Sequence, residues 1–188
     1  DDDKQYLNSI SKVIYVINTF PAVDAMWLNF CSFKDKIKHY HGPRQNFFND
    51  KNQVLDIAGT GIGLLSTQIM LTDNALKGIK KAKKHAVGFS FASTSLFLTS
   101  ISKARDIYFF DEPIFHNYPT SIDDIRKLSV RKDNTIYNLA FDIYGLNFRS
   151  VLNEFNNDFS KKSLKKLQQK MFSCLWKGIY VGWLRGYD

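Results

Sequence analysis

Few residues of this chain have the types and spacing that acid–base catalysis or metal binding requires. Asp111 and Glu112 are adjacent carboxylates before a proline, a pattern that is more typical of a solvated loop. His39 and His41 lie two positions apart, and a metal site would need further ligands from a chain with 4 histidines. The cysteines and histidines have no zinc-like spacing, and no Gly-x-Ser-x-Gly elbow occurs. The sequence therefore predicts no catalytic residues, no metal site and no bound cofactor.

One glycine-rich segment, 54–63, indicates a different possibility, namely a cofactor site. It reads Val-Leu-Asp-Ile-Ala-Gly-Thr-Gly-Ile-Gly. This segment resembles the first motif of class I methyltransferases that use S-adenosylmethionine, in which a strand ends in an acidic residue and a glycine turn follows. The resemblance covers about twenty residues and implies a cofactor site made of Asp56, Gly59, Gly61, Gly63 and Asp73. The glycines are displaced by one position from the family's spacing, and only 16 residues between Asp56 and Asp73 must hold a turn, a helix and a strand.

The same glycines also fit a purely structural role on helices. Gly59 and Gly63 would then lie one turn apart on one helix face. Gly178, Gly182 and Gly186 repeat the four-residue spacing near the C-terminus. Small residues at this spacing let two helix backbones approach closely. This interpretation, which we favour, predicts glycine-lined helix packing.

Lysines are concentrated in two short stretches of the chain. They are Lys77, Lys80, Lys81, Lys83 and Lys84, followed later by Lys161, Lys162, Lys165 and Lys166. A surface of this kind attracts anionic partners such as an acidic protein or an anionic membrane or envelope surface. No nucleic-acid module is recognisable, so specific nucleic-acid binding is not expected. The sequence predicts that these nine lysines form a cationic binding patch.

The formal net charge is +8, from 26 Lys and Arg against 18 Asp and Glu. Asp1–Lys4 read as the remnant of an enterokinase-cleavable tag, and without them the formal charge rises to +10. The natural segment, 5–188, would then begin at Gln5 without an initiator Met. This favours removal of a signal peptide or anchor and an exported protein, which would be periplasmic, cell-surface or secreted. A domain trimmed from a cytosolic protein is the alternative.

The two cysteines, Cys31 and Cys174, bear on the same question. In an oxidising compartment they could form one disulfide, with Cα atoms about 4.4 to 6.8 Å apart. In a cytosolic protein they would be ordinary buried thiols. Both lie in apolar stretches, so burial is expected in either case.

The sequence pattern predicts that the elements that position these residues are helices. Apolar side chains recur at helical spacing from Val23 to Ile37 and from Leu164 to Ile179. Asn49 or Asp50 is suited to cap a helix, and so is Ser160. With 44% hydrophobic residues in 188, the chain fits one packed domain. We therefore predict an all-α fold of about five to seven helices, which a central parallel sheet would contradict.

Two stretches without charged residues, Ile57–Thr72 and Ala86–Ser102, flank the first lysine group. They could form a hairpin that inserts into a membrane. Both are shorter than the roughly 20 apolar residues of a spanning helix, so two buried core helices are the simpler interpretation.

Three functional classes follow from these patterns. The favoured one is a non-enzymatic, exported helical module that binds an anionic partner, as toxin-neutralising or envelope-associated proteins do. The alternatives are a methyltransferase that uses the segment 54–63 and a membrane-interacting helical hairpin. The partner and the oligomeric state stay open at this point.

Overall fold

The computed structural model describes residues 4–5, 7–32, 46–59, 62, 67–84, 91–117 and 146–184. Within these ranges, five strands form one mixed sheet and seven helices pack around it. The strands are β1 (Lys4–Gln5), β2 (Val23–Ser32), β3 (Phe47–Phe48), β4 (Gln68–Met70) and β5 (Asp106–Asn117). The helices are α1 (Ser9–Thr19), α2 (Lys51–Ala58), α3 (Thr72–Leu76), α4 (Ile79–Lys84), α5 (Ala92–Lys103), α6 (Phe148–Asn153) and α7 (Lys161–Leu184).

The prediction of an all-α helical bundle is wrong, because a parallel pair of long strands, β2 and β5, forms the centre of the sheet. The strand order is β1-β5-β2-β4, and β3 shares the outer edge of β5 with β1. β4 pairs antiparallel with β2. Parallel strands need a long crossover connection, and here α2 to α5 lie within it. The chain therefore has an α/β fold.

The strand β2 occupies most of the region where the spacing predicted a helix from Val23 to Ile37. Ala25 and Trp27 belong to the core on one face of the sheet, whereas Met26 and Leu28 belong to the core on the other face. A strand buried on both faces is apolar at nearly every position, so its apolar residues also match a helical period. Burial on two sides is thus the physical reason for the incorrect prediction.

The strand β5 contains the Asp111–Pro113 stretch that the sequence predicted to be a loop. The pairing register shifts before Asn29 meets Pro113, and the Nδ2 group of Asn29 donates to the carbonyl oxygen of Asp111 at 3.0 Å. A bulge of this kind tolerates proline, which has no N–H to donate. Glu112 projects from the bulge and pairs with Lys12 of α1 at 2.7 Å. The irregularity therefore helps to attach α1 to the sheet.

The sheet separates two apolar layers. On one face, α1 packs through Val13 and Val16 against residues such as Met26 and Phe110. On the other face, α2, α5, α6 and α7 contribute to a larger core that extends from Ala25 to Met171 along the sequence. The lysine-bearing helices α4 and α7 are therefore on the side of the sheet opposite α1.

Two predicted helix starts are confirmed. Asp50 caps α2, because its Oδ1 accepts a hydrogen bond from the backbone N–H of Asn52 at 2.9 Å. Ser160 caps α7, because its Oγ accepts from the backbone N–H of Ser163 at 3.1 Å. The described part of the predicted apolar stripe on α7 is buried, namely Leu164, Leu167 and Met171.

The prediction of glycine-lined helix packing is also wrong for the first of its two segments, the one that contains Gly59. Gly59 follows α2 with a φ of 53°, a left-handed conformation that ends the helix rather than continuing it. Gly61, Gly63 and Gly186 lie outside the described residues. The close approach that the structure does contain is at Gly78, between α3 and α4, where a Cβ atom would lie 2.9 Å from the Thr99 Cβ of α5.

We therefore expect Gly78→Ala to lower the free energy of unfolding by about 1–3 kcal/mol, the usual effect of overpacking. The side chain of Thr99 cannot rotate away from the clash, because its Cβ is itself one of the atoms in contact. Urea unfolding would measure the change. Lys80→Ala is the matched control, since it changes an exposed residue two positions along the chain that has no described structural contact. A Gly78→Ala variant as stable as that control would contradict the close approach.

Candidate cationic binding surface

The first lysine group lies on α4 and the turn before it. α4 packs on α5, buries Ala82 and exposes Lys80, Lys83 and Lys84. Its first turn is closed by a hydrogen bond of 2.9 Å from the Ala82 N–H to the Gly78 carbonyl oxygen. Ala82 is the buried residue of α4, and the exposed positions of the helix carry lysines.

The second lysine group lies on the first two turns of α7. Lys161, Lys162, Lys165 and Lys166 are exposed, whereas the apolar stripe of the helix faces the core. This is the arrangement that the sequence predicted for α7. The turn 154–159 precedes α7 and contacts α4, so it links the two lysine groups.

Two acidic residues of this turn bind lysines of the first group and one lysine of α5. The Nζ of Lys81 lies 3.4 Å from Asp158 Oδ2, 3.2 Å from the Glu154 carbonyl oxygen and 4.0 Å from the centre of the Phe155 ring. Lys84 pairs with Glu154 at 3.4 Å, and Lys103 pairs with Asp158 at 3.8 Å. Lys81 and Lys84 therefore attach α4 to the turn, and their charges are partly compensated.

Asp56 compensates one lysine of the second group. Lys166 Nζ lies 2.7 Å from Asp56 Oδ2, and Lys170 Nζ donates to the Asp56 carbonyl oxygen at 2.7 Å. These contacts join α7 to α2. Lys77 has a local role, since its Nζ donates to the Asn74 side-chain oxygen at 3.2 Å.

Five exposed lysines remain after these pairs are removed, and we call them the open lysines. Within the ranges that the structure describes, none of the five forms an ion pair with another residue. They are Lys80, Lys83, Lys161, Lys162 and Lys165. The open lysines are therefore the part of the predicted patch whose charge the described acidic residues leave uncompensated.

Sequence reasoning missed two apolar residues that accompany the lysines of the first group. Leu76 and Ile79 are exposed on either side of the turn that carries Lys77. They make the surface around the first lysine group partly apolar. The signal was present in the sequence as Leu-Lys-Gly-Ile-Lys-Lys, where each of the two apolar residues directly precedes a lysine.

The described residues of the segment that resembles the methyltransferase motif do not adopt its geometry. The motif requires Val54–Asp56 on a strand, whereas these residues form the middle of α2. The Asp56 carboxylate pairs with Lys166 of α7, and Asp73 is exposed on α3. Gly61 and Gly63 lie outside the described residues. The strand–turn–helix arrangement that holds the cofactor in that family is therefore not formed by the described part of the motif.

The structure does not describe the side chains of the other candidate residues. Cys31 lies in β2 and Cys174 in α7, and their side chains belong to the part of the chain that the structure does not describe, so the disulfide stays a prediction. His39 and His41 also lie outside the described ranges. Among the residues that are described, no group of three or more His, Cys, Asp or Glu side chains is arranged to hold a metal ion.

The predicted membrane hairpin is not formed as one pair of helices. The first of its two stretches, Ile57–Thr72, contains the end of α2 and the strand β4. Within the described parts of the chain, no helix combines the length and the apolar character that crossing a membrane demands.

Comparison with protein-family models, with curated protein sequences and with solved structures returns no significant match. The function therefore has to be argued from the surface itself.

Proposed function

We propose that this chain is a non-enzymatic, exported module that binds an anionic partner, an acidic protein or an anionic membrane surface, through its open lysines. The observation that carries the proposal is the excess of exposed lysines over carboxylates around the turn 154–159. Glu154 and Asp158 already bind Lys81, Lys84 and Lys103. The open lysines on either side therefore keep a local positive potential that no described acidic residue cancels.

The two kinds of lysine have different roles in this proposal. Lys81 and Lys166 hold helices together, so their loss would disturb the fold as well as the charge. Lys80 and Lys83 are exposed on α4 and contribute charge without a described structural contact. A variant restricted to these two lysines therefore tests binding separately from folding.

We expect Lys80→Gln with Lys83→Gln to weaken binding to vesicles that contain phosphatidylglycerol, or to polyglutamate, by about tenfold or more. Each lysine near an anionic surface contributes about 1 kcal/mol, and the contribution is screened by salt. Sedimentation of the vesicles and fluorescence anisotropy of labelled polyglutamate would measure the two affinities. Affinity should also fall more steeply with salt for the wild type than for the variant.

The matched control changes the net charge by the same amount on the opposite side of the sheet. Asn8→Asp with Asn18→Asp adds two negative charges at exposed positions of α1 and its N-terminal cap with almost no change in volume. This control should bind like the wild type. Equal losses in the control and in the lysine variant would mean that only net charge matters and would contradict a localised surface.

The exported location is a separate part of the proposal, and the two cysteines offer a test. In an oxidising compartment, Cys31 and Cys174 are expected to form a disulfide. Thiol labelling of protein purified from its natural source should then find no free thiol until a reductant is added. Two labelled thiols without a reductant would contradict this part and leave the binding proposal intact.

A further inference from the structure

The helices α3 and α4 follow each other along one nearly continuous helical path. In the turn between them, the Gly78 N–H donates to the Ala75 carbonyl oxygen at 2.8 Å, and the Ala82 N–H then donates to the Gly78 carbonyl oxygen at 2.9 Å. Buried residues recur along this path every four positions, at Asn74, Gly78 and Ala82. Both helices pack on α5, so this buried row faces α5.

The side of this path that is turned away from α5 combines apolar and cationic side chains. Successive residues of a helix are rotated by about 100°, so a residue two positions after a buried one points outward. Leu76 and Lys80 have this position. Ile79 and Lys83 come one position after a buried residue and lie on the adjacent flank. All four residues are exposed, and we call them the α3–α4 face.

Each apolar residue of the α3–α4 face adjoins a lysine. Leu76 and Lys80 are four residues apart, and so are Ile79 and Lys83. Residues at this spacing are neighbours on a helix surface. Leu76 is 55% exposed and Ile79 is 37% exposed. The face therefore offers apolar contact and positive charge at the same place.

The acidic residue of this part of the chain lies on the opposite flank. Between positions 57 and 105 the sequence contains a single acidic residue, Asp73. It comes one position before a buried residue, as Lys81 does, so the two share a flank. On that flank Lys81 contacts Asp158 of the turn before α7. This part of the sequence therefore contributes no carboxylate to the α3–α4 face.

This combination of side chains fits a lipid bilayer better than an acidic protein segment. An anionic bilayer presents phosphates at its surface and an apolar layer directly beneath them, so lysines and apolar side chains of one helix face can both be satisfied. The aliphatic stem of a lysine can lie along the apolar layer while its ammonium group stays at the phosphates. A flexible acidic segment would meet the charge of Lys80 and Lys83 and leave Leu76 and Ile79 in water.

We propose that the α3–α4 face lies on the surface of an anionic lipid bilayer, with Leu76 and Ile79 between the headgroups and Lys80 and Lys83 at the phosphates. The contact needs no segment that crosses the bilayer. This inference rests on the proposed function for its cationic part, and it selects the membrane over the acidic protein as the partner.

We expect Leu76→Asn with Ile79→Asn to weaken binding to vesicles of phosphatidylcholine and phosphatidylglycerol by about tenfold, because two partly exposed apolar side chains no longer leave water on binding. Binding to polyglutamate should not change, since the lysines are kept. At about 1 M salt the Debye length falls to about 3 Å, so the binding that remains depends on apolar contact. The wild type should then keep measurable vesicle binding in a sedimentation assay, and the variant should lose it.

The matched control is Ile10→Asn with Ile14→Asn on α1. It makes the same chemical change at two exposed positions on the other side of the sheet, and it should bind vesicles like the wild type. All substituted positions are exposed, so the urea midpoints should stay close to that of the wild type. Leu76→Trp tests the same contact by a gain, since it should strengthen vesicle binding and lose fluorescence when the vesicles contain brominated lipid.

The outcomes separate this inference from the proposed function. A wild type that binds polyglutamate but not the vesicles would overturn the membrane contact and support the cationic surface, whereas binding to neither would overturn both. Vesicle binding that is unchanged in the Leu76 and Ile79 variant would overturn the contact, and so would an equal loss in the α1 control. Equal losses for vesicles and polyglutamate, or a Leu76→Trp fluorescence that brominated lipid does not quench, would also contradict insertion of this face.

Discussion

Trp27→Ala should lower the free energy of unfolding by about 3–5 kcal/mol, as expected for a large aromatic residue in a packed core. Trp27 lies at the centre of β2 and is completely buried. Its ring centre is 5.8 Å from that of Phe97 on α5 and 6.5 Å from that of Phe109 on β5. The indole Nε1 has no hydrogen-bond partner among the described residues, so the loss would measure packing rather than a lost polar contact.

The matched control is Trp176→Ala on α7, where the tryptophan is 63% exposed. This change should alter the free energy of unfolding by no more than about 0.5 kcal/mol. Urea unfolding followed by circular dichroism is suitable for both variants, since the signal does not depend on either tryptophan. Equal losses for the two tryptophans would contradict the central position of β2 in the core.

Asp24→Asn should lower the free energy of unfolding by about 1–2 kcal/mol at neutral pH, with the loss diminishing in acid. Asp24 is 7% exposed at the start of β2. Its two carboxylate oxygens accept hydrogen bonds from the Arg105 side chain at 3.1 and 3.0 Å, and Oδ2 also accepts from the Arg105 backbone N–H at 3.0 Å. These bonds fix the start of β5 beside the start of β2.

The hydrogen bonds from the Arg105 side chain are the main reason why the pKa of Asp24 lies below its ordinary value of 3.8, against the opposing effect of burial. The unfolded chain therefore takes up the Asp24 proton at a higher pH than the folded chain does. The stabilisation is complete well above pH 3.8 and is lost as the pH falls through the lower pKa of the folded state. The difference between wild type and Asp24→Asn should shrink over this acidic range.

Glu112→Gln is the control for this pair, because Lys12 and Glu112 form an ion pair in which both side chains are more than 40% exposed. Exposed pairs of this kind contribute between about 0 and 1 kcal/mol. Urea unfolding at a series of pH values would compare the three proteins. A wild-type to Asp24→Asn difference that does not vary between neutral and acidic pH would contradict the assigned role of Arg105.

Local signals in the sequence were sufficient for some elements and insufficient for the sheet. The caps Asp50 and Ser160 act within a few residues, so they could be identified without knowledge of the fold. The assignment of β2 required knowing that both of its faces are buried. One face is covered by the neighbouring helix α1, but the other is covered by elements such as α5, which is distant in sequence. A short apolar run has no periodicity that separates a doubly buried strand from a buried helix.

In the candidate surface, too, some features follow from local sequence and others depend on residues that are distant in sequence. The exposure of the lysines on α7 follows from their position opposite an apolar stripe, which the sequence displays. Their pairing could not be anticipated, because Asp158 reaches Lys81 from 77 residues away and Asp56 reaches Lys166 from 110 residues away. The spacing of the glycines was equally ambiguous, since helix, turn and cofactor loop all use glycine for different backbone reasons.

The parallel pairing of β2 with β5 also has a kinetic consequence. Asp24 and Arg105 meet across 81 residues of sequence, so the chain must close a long loop before the centre of its sheet exists. The loss of chain entropy on closing this loop costs about 4 kcal/mol of free energy. The chain meets this cost before the contacts that compensate for it are complete. Folding should therefore be slower than for a helical bundle of similar length. Until the loop closes, the only other described strand that can pair with β2 is β4, which is three residues long. In a partly folded chain, the apolar strand β2 would therefore be exposed to other molecules.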